Sequence, residues 1–234
     1  MTTFVRYIDL DGTVNTRDLG GWARQAGGTT PFGRILRSDM PRTVSDEDRA
    51  RLTTAGVHHV FDLRSQEEQR AEPNPLLGDA AFEVVGYDLM APVMTARASG
   101  RGRTEDPFDL AGFYLDMTVE ARDLLLDLLA HMQAARASGG LLIHCSAGKD
   151  RTGVVSALAL HASGVSEADV AHEYALTHAR LTPLYDHLLQ GVLASGVPEA
   201  AAHRLLTAEA GTMARFLAGV EDDVIAAAEG LLDP

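Results

Sequence analysis

The chain is short of several residue types, and each shortage closes off a class of function. Cysteine occurs once in 234 residues, at Cys145. A single thiol rules out an intramolecular disulfide and a cysteine-based zinc centre, so burial must stabilise the fold and a reducing compartment is the expected setting. Lysine also occurs once, at Lys149, and every other basic residue is arginine, a bias that fits a GC-rich genome. Positive charge as a whole is scarce. The 20 basic against 33 acidic residues leave a net charge of −13, which argues against nucleic-acid binding because phosphate backbones are held by excess positive charge. No apolar run approaches the roughly 18 residues needed to span a bilayer, and MTTFVRYIDL at the start carries no basic stretch followed by a long apolar core. The expectation is a cytoplasmic protein without integral membrane association, its oligomeric state unspecified.

What is present suits a packed domain: 46% of residues are hydrophobic and 23% charged, ordinary for a globular chain. Residues 1–234 are expected to form a single domain of α/β class, with a central, mainly parallel sheet flanked by helices. Short strands are predicted at Gly33–Arg37, Val57–Leu63, Phe82–Val85 and Leu141–Cys145, the last apolar throughout and suited to burial on both faces. Helices are predicted after Ser45, over Val119–Ala137, over Thr152–Ser163, from Ser166 to Ala179, and onward, so that 166–234 is a helical C-terminal part. Residues 91–118 combine Gly, Arg and Pro with weak periodicity and read as a lid or mobile loop.

The stretch LLIHCSAGKDRTG, Leu141 to Gly153, concentrates the chemistry. A loop that leaves a buried strand and enters a helix directs several N–H groups toward one point beside the positive end of the helix dipole. Such a loop binds a tetrahedral oxyanion and stabilises a thiolate at its base, which makes Cys145 a candidate nucleophile. The guanidinium of Arg151 offers paired hydrogen bonds to two phosphate oxygens in a way an ammonium does not. Thr152 places a hydroxyl where it can donate to the sulfur, and Gly148 and Gly153 allow close backbone approach.

His144-Cys-Ser-Ala-Gly-Lys-Asp-Arg-Thr-Gly153 resembles the signature loop of the cysteine-based tyrosine phosphatases, and its Gly-Lys-Asp-Arg interior resembles the bacterial tyrosine and lipid phosphatases of mycobacterial type. Asn15-Thr-Arg-Asp-Leu-Gly-Gly21, Arg37-Ser38 and Phe61-Asp-Leu-Arg64 resemble further landmarks of that family, over most of the chain to about residue 220. The resemblance implies a tyrosine-phosphatase-like fold, a phosphocysteine intermediate and no cofactor or metal. It also implies a phosphorylated protein or phosphoinositide as substrate, with broad specificity. Ser146, Ala147, Gly148, Lys149 and Thr152 would then bind the phosphate.

Two residues compete for the role of general acid: Asp150, which the resemblance favours, and Asp88, which follows a strand where most tyrosine phosphatases carry a mobile acid loop. Lys149 either selects charged substrates at the pocket rim or pairs with an acidic neighbour such as Asp88. His144 is expected to bond the loop backbone. Arg17 and Asp18 either brace the pocket or hold the N-terminal loops together, and Arg64 either reaches the phosphate loop or pairs with Glu67 or Glu68. Asp62 reads as a hydrogen-bond acceptor, Arg97, Arg101 and Arg103 as candidates for recruiting anions, and Phe108, Phe113 and Tyr114 as entrance or core aromatics. Two other functions remain open on residues alone: a catalytically silent phosphate-binding module and a rhodanese-type sulfurtransferase, against which Arg151-Thr152 speaks.

Overall fold

Five short stretches pair into one sheet: β1 (Arg17–Asp18), β2 (Ile35–Ser38), β3 (Val57–Asp62), β4 (Glu83–Gly86) and β5 (Gly140–His144). They are seen in a computed structural model that describes residues 6–102, 106 and 108–233. The order is β1-β2-β5-β3-β4, with β1 antiparallel to β2 and the remaining pairs parallel, which is the mainly parallel α/β sheet the sequence predicts. Around it lie α1 (Asp46–Thr54), α2 (Gln66–Ala71), α3 (Met90–Ala98), α4 (Leu110–Glu120), α5 (Arg122–Ala135), α6 (Asp150–Ala162), α7 (Glu167–Arg180), α8 (Tyr185–Ala194), α9 (Glu199–Leu206), α10 (Ala210–Leu217) and α11 (Asp222–Ala226).

Alternation along the strands divides the core in two. Ile35, Phe61, Leu141 and Ile143 face one side, where α4 to α7 and α10 cover them. Leu36, Val60 and Leu142 face the other and pack with Leu52 of α1, Leu76 and Phe82. Because β5 sits between β2 and β3, all its residues are buried. Its C-terminal end therefore opens between two neighbouring strand ends, with Ser38 and Asp62 both in register with His144. Ligands of open parallel sheets bind at such carboxyl ends.

Helix starts follow their caps. Ser45 and Ser65 each form a capping box with the acidic residue three positions on, Asp48 and Glu68, and Ser166 caps α7. The predicted helix over Val119–Ala137 is split, because α4 ends at Glu120 and Ala121 leaves helical geometry before α5 begins. The reading of 91–118 as a loop is corrected: most of it is α3 and α4. Pro92 falls in the first turn of α3, where a missing N–H costs no hydrogen bond, and Asp109 caps α4. Arg97 joins the two helices through Asp116 at 2.7 Å and stacks over Phe113. Arg101, itself exposed, pairs with Glu120, and Arg103 lies outside the described residues.

Leu142 is fully buried at the centre of the smaller core. Leu142→Ala is expected to cost ~2–5 kcal/mol in urea unfolding, and a loss below ~1 kcal/mol would contradict this placement.

Candidate active site

β5 delivers Cys145 to the end of the sheet, where the thiol is 2% exposed. Beyond it, four successive carbonyls are drawn into the protein. Cys145 O accepts from His144 Nδ1 at 3.2 Å, Ser146 O from Met40 N at 3.1 Å, and Ala147 O from Asn15 Nδ2 at 3.1 Å. Gly148 O accepts from Asn15 Nδ2 at 3.2 Å and from Arg37 Nη2 at 2.6 Å. In a trans peptide each carbonyl opposes the next N–H. The amides of Ser146, Ala147, Gly148 and Lys149 accordingly face away from the interior, and among the described residues no protein acceptor takes them. The first N–H groups of α6 add to this set. The result is an anion-binding concavity at a helix N-terminus. Gly148 is required for it: φ is +64°, and a Cβ there would collide with the Ser38 backbone.

The inward pull rests on a buried ion network. Glu173 of α7 accepts from Arg17 Nε at 2.6 Å and from Arg37 Nη1 at 2.5 Å, and all three side chains are at most 2% exposed. Burial alone would raise the Glu173 pKa, but the two guanidinium groups hold it below the usual carboxylate value. Burial, with Arg37 close by, pulls Arg17 down to about 10. Arg17 also donates to Asn15 Oδ1, and Asp39 accepts from the Val14 and Asn15 amides. The NTRDLGG segment is thus a brace behind the loop through Asn15 and Arg17. Asp18 instead holds the N-terminal loops, accepting from Gly20 N and Gly33 N.

Beside the thiol, Arg151 is held by Glu68. Arg151 Nη1 donates to Glu68 Oε2 at 2.6 Å and to Leu63 O, and Nη2 donates to Glu68 Oε1 at 3.1 Å and to Ser146 Oγ. Burial opposes the Glu68 charge, yet the Arg151 pair takes its pKa down to about 2. Ser146 Oγ in turn donates to Glu68 Oε1. His144 is a neutral imidazole: a carbonyl only accepts, so Nδ1 carries the proton toward Cys145 O, and Nε2 accepts from Asn74 Nδ2 at 2.8 Å. Burial, helped by the nearby Arg64 and Arg151, depresses its pKa.

Several expected partners are different. Arg64 reaches neither the loop nor Glu67 or Glu68. It pairs with Asp62 at 2.6 Å and donates to Glu72 O, because a two-residue spacing at the end of β3 folds the guanidinium back. Asp62 is that acceptor. Asp88 caps α3 through Met90 N and Ala91 N and also accepts from Gln66 N. Lys149 pairs with Asp150 at 3.1 Å rather than with Asp88, and is 2% exposed. The Thr152 hydroxyl, fully buried on α6, makes no hydrogen bond among the described residues, so the expected donation to the Cys145 sulfur is not formed. Asp150 Oδ1 accepts from Tyr114 Oη at 2.6 Å, and Tyr114 in turn meets Tyr174 Oη.

Above the loop opens a cavity of about 810 Å³ whose floor includes Cys145, Ala147, Asp150 and Arg151. Its walls are mainly apolar, with Met94, Phe108 and Phe113 on one side and Leu188, Val192 and Leu205 on the other. Sequence reasoning missed Glu68, Glu173, Asn15 and Arg37 as parts of the site. Asn15 and Arg37 lay in stretches that resemble family landmarks, Glu68 left the Ser65-x-x-Glu68 capping box after Arg64, and Glu173 left no local signal.

A thiol under a ring of outward-facing amides, with a braced arginine, defines a cysteine-based phosphatase. The family model described as the tyrosine phosphatase family matches residues 8–228. A Cupriavidus necator protein assigned as a tyrosine-protein phosphatase is 32% identical over 87% of this chain and 74% of its own length. A Nostoc commune tyrosine-protein phosphatase is 30% identical over 61% of this chain and 47% of its own. The triple specificity protein phosphatase PtpB of Mycobacterium tuberculosis is 28% identical over 92% of this chain and 88% of its own. The chain belongs to the tyrosine phosphatase family and is a phosphatase, which removes the sulfurtransferase reading.

Two predictions come from the bracing groups. Glu173→Ala leaves two buried guanidinium groups uncompensated and should cost ~3–5 kcal/mol in denaturant unfolding, well above Glu68→Ala at its half-exposed position. For His144, the unfolded state binds a proton below pH 6.5 while the folded imidazole, with its depressed pKa, does not. Stability should therefore fall as pH drops from 6.5 toward the folded value. His144→Gln is expected to flatten that part of the stability profile measured by thermal unfolding, and an unchanged slope would show that His144 is not buried neutral.

Proposed function

We propose that the chain hydrolyses phosphomonoesters by two displacements at Cys145. The observation that carries this reading is the orientation of the loop: the interior takes four carbonyls in a row and so aims four amides at one point above the thiol. A phosphoryl group bound there takes hydrogen bonds from the amides of Ser146 to Lys149 and from Arg151, which stabilise charge as it develops on the equatorial oxygens. The Cys145 sulfur attacks phosphorus, the ester oxygen leaves with a proton, and a phosphocysteine forms. Water then attacks phosphorus, the S–P bond breaks, and phosphate and the thiolate are released.

Asp150 supplies the first proton and takes one from water in the second step. It lines the cavity floor beside Cys145, whereas Asp88 is committed to capping and lines no part of that cavity. Tyr114 fixes the carboxyl from the buried side. The substrate range is broad, covering phosphotyrosine, phosphoserine or phosphothreonine and phosphoinositides. The width of the cavity supports it, as does the triple specificity in the name of the mycobacterial relative. The enzyme acts as one phosphatase unit in the cytoplasm, where a lone thiol stays reduced; no helix among the described residues is long and apolar enough to cross a membrane.

Turnover of p-nitrophenyl phosphate should vanish in Cys145→Ser and be blocked by orthovanadate. Asp150→Asn should lower kcat on alkyl or unactivated aryl phosphates by ~10²–10⁴-fold, with a much smaller loss on p-nitrophenyl phosphate, whose leaving group needs little protonation. If Asp88→Asn rather than Asp150→Asn produced that selective loss, the acid assignment would be wrong. Vanadate binding without hydrolysis of any ester would point to a silent phosphate-binding module.

A further inference from the structure

The only lysine sits inside the loop after Cys145 and lines the cavity, yet its ammonium is bonded to the end of α9. Lys149 Nζ donates to Leu205 O and to Thr207 O at 3.2 Å, and it forms an ion pair with Asp150 Oδ1 at 3.1 Å. Two of the three N–H donors of the ammonium are thus given to backbone carbonyls. Both carbonyls lie at the C-terminal end of α9, which ends at Leu206 with Thr207 as its cap. A cation is favoured there by the unsatisfied carbonyls and the negative end of the helix dipole.

The helix so tied is a wall of the substrate cavity. Leu205 and Leu206 line it, as do Leu188 and Val192 of α8. α8 buries none of its own residues and packs chiefly on α9 and the 3₁₀ turn Thr182–Leu184 that precedes it. What places α9 therefore places α8. Beyond the buried Ala201 and Ala202 of α9, Lys149 is the direct polar link between this wall and the loop that holds the phosphoryl group.

We infer that Lys149 is a positioning residue that sets the distance between the phosphate loop and the apolar α8–α9 wall, and so favours, within the proposed broad range, substrates with a large apolar leaving group. The inference rests on the phosphatase reading for its substrate and on the Lys149 contacts for its content. It departs from the expectation that Lys149 attracts charged substrates at the rim, because the ammonium is buried, gives two hydrogen bonds to the end of α9 and is neutralised by Asp150.

The test compares Lys149→Met, and Lys149→Gln as a variant that keeps a donor, on three substrates: p-nitrophenyl phosphate, 3-O-methylfluorescein phosphate and inositol 1,4-bisphosphate. Both aryl esters have activated leaving groups, so any disturbance of Asp150 affects them alike and cancels in their ratio. The ratio of kcat/KM for the fluorescein ester to that for the nitrophenyl ester should fall about 10-fold, mainly through KM. Leu188→Ala should lower the same ratio, and the double variant should be non-additive. A loss concentrated on inositol 1,4-bisphosphate, with the aryl ratio unmoved, would restore charge selection and overturn the proposal; so would an equal loss on all three.

Amide hydrogen exchange supplies a readout independent of turnover. Residues 199–208 should exchange faster in the variants, and orthovanadate bound to the wild type should slow them. Unchanged exchange in both comparisons overturns the link, and the vanadate comparison stands even where a variant does not fold. A wild type that hydrolyses nothing yet shows both exchange effects would sink the phosphatase reading and leave the link intact.

Discussion

Four carbonyls facing inward are the constraint on which the site depends. A short loop between a strand and a helix has no preference of its own for turning its C=O groups to the core and its N–H groups to solvent. The direction is imposed by His144 next to the loop, by Asn15, and by Arg37 and the Met40 amide at the end of β2. Arg37 and Arg17 stay in place because Glu173 is buried between them. Ion pairs of this kind contribute little net stability against an apolar replacement. Their role here is geometric, as they keep a donor fixed behind Gly148 and bind the N-terminal segment, β2 and α7 to one another.

The electrostatics follow from the same arrangement. A chain of net charge −13 would repel a phosphate dianion at long range, and in the proposed reading local groups offset this: the amides, the start of α6 and Arg151. Glu68 sits among them with its pKa taken down to about 2, which keeps it charged at any working pH and keeps the guanidinium plane oriented. Asp150 is held by Tyr114 and Lys149 on its buried side, so the loop carries its candidate acid within itself and needs no separate loop to deliver one.

Much of this was legible in residue order. The β5-loop-α6 unit, with Cys145 and Arg151 in one loop, is a local statement: an apolar run, a glycine-bearing turn and a helix start lie within about twenty residues of one another, and the mainly parallel sheet follows from strands alternating with helices. The helices of residues 90–120 were harder to read, because Pro92, Gly100 and Gly102 mask the pattern and the packing of Arg97 on Asp116 and Phe113 supplies what periodicity does not. Arg64 and Thr152 were assigned partners by proximity in sequence, and the folded chain paired the first with Asp62 and gave the second no hydrogen bond.

Residue order alone determined which chemical groups this protein has and which of them share a loop. A single thiol, an arginine six positions after it and an acid just before that arginine pointed to phosphate chemistry while leaving a silent binding module and a sulfurtransferase open. The tertiary structure decided which way those groups face. Glu68 meets Ser146 across 78 positions, Asn15 meets Ala147 across 132, and Glu173 holds Arg17 across 156, and no periodicity encodes contacts of that range. It also decided Lys149, whose charge suggested a ligand and whose burial against α9 gives it a helix end instead, where two carbonyls and the Asp150 carboxylate surround the ammonium.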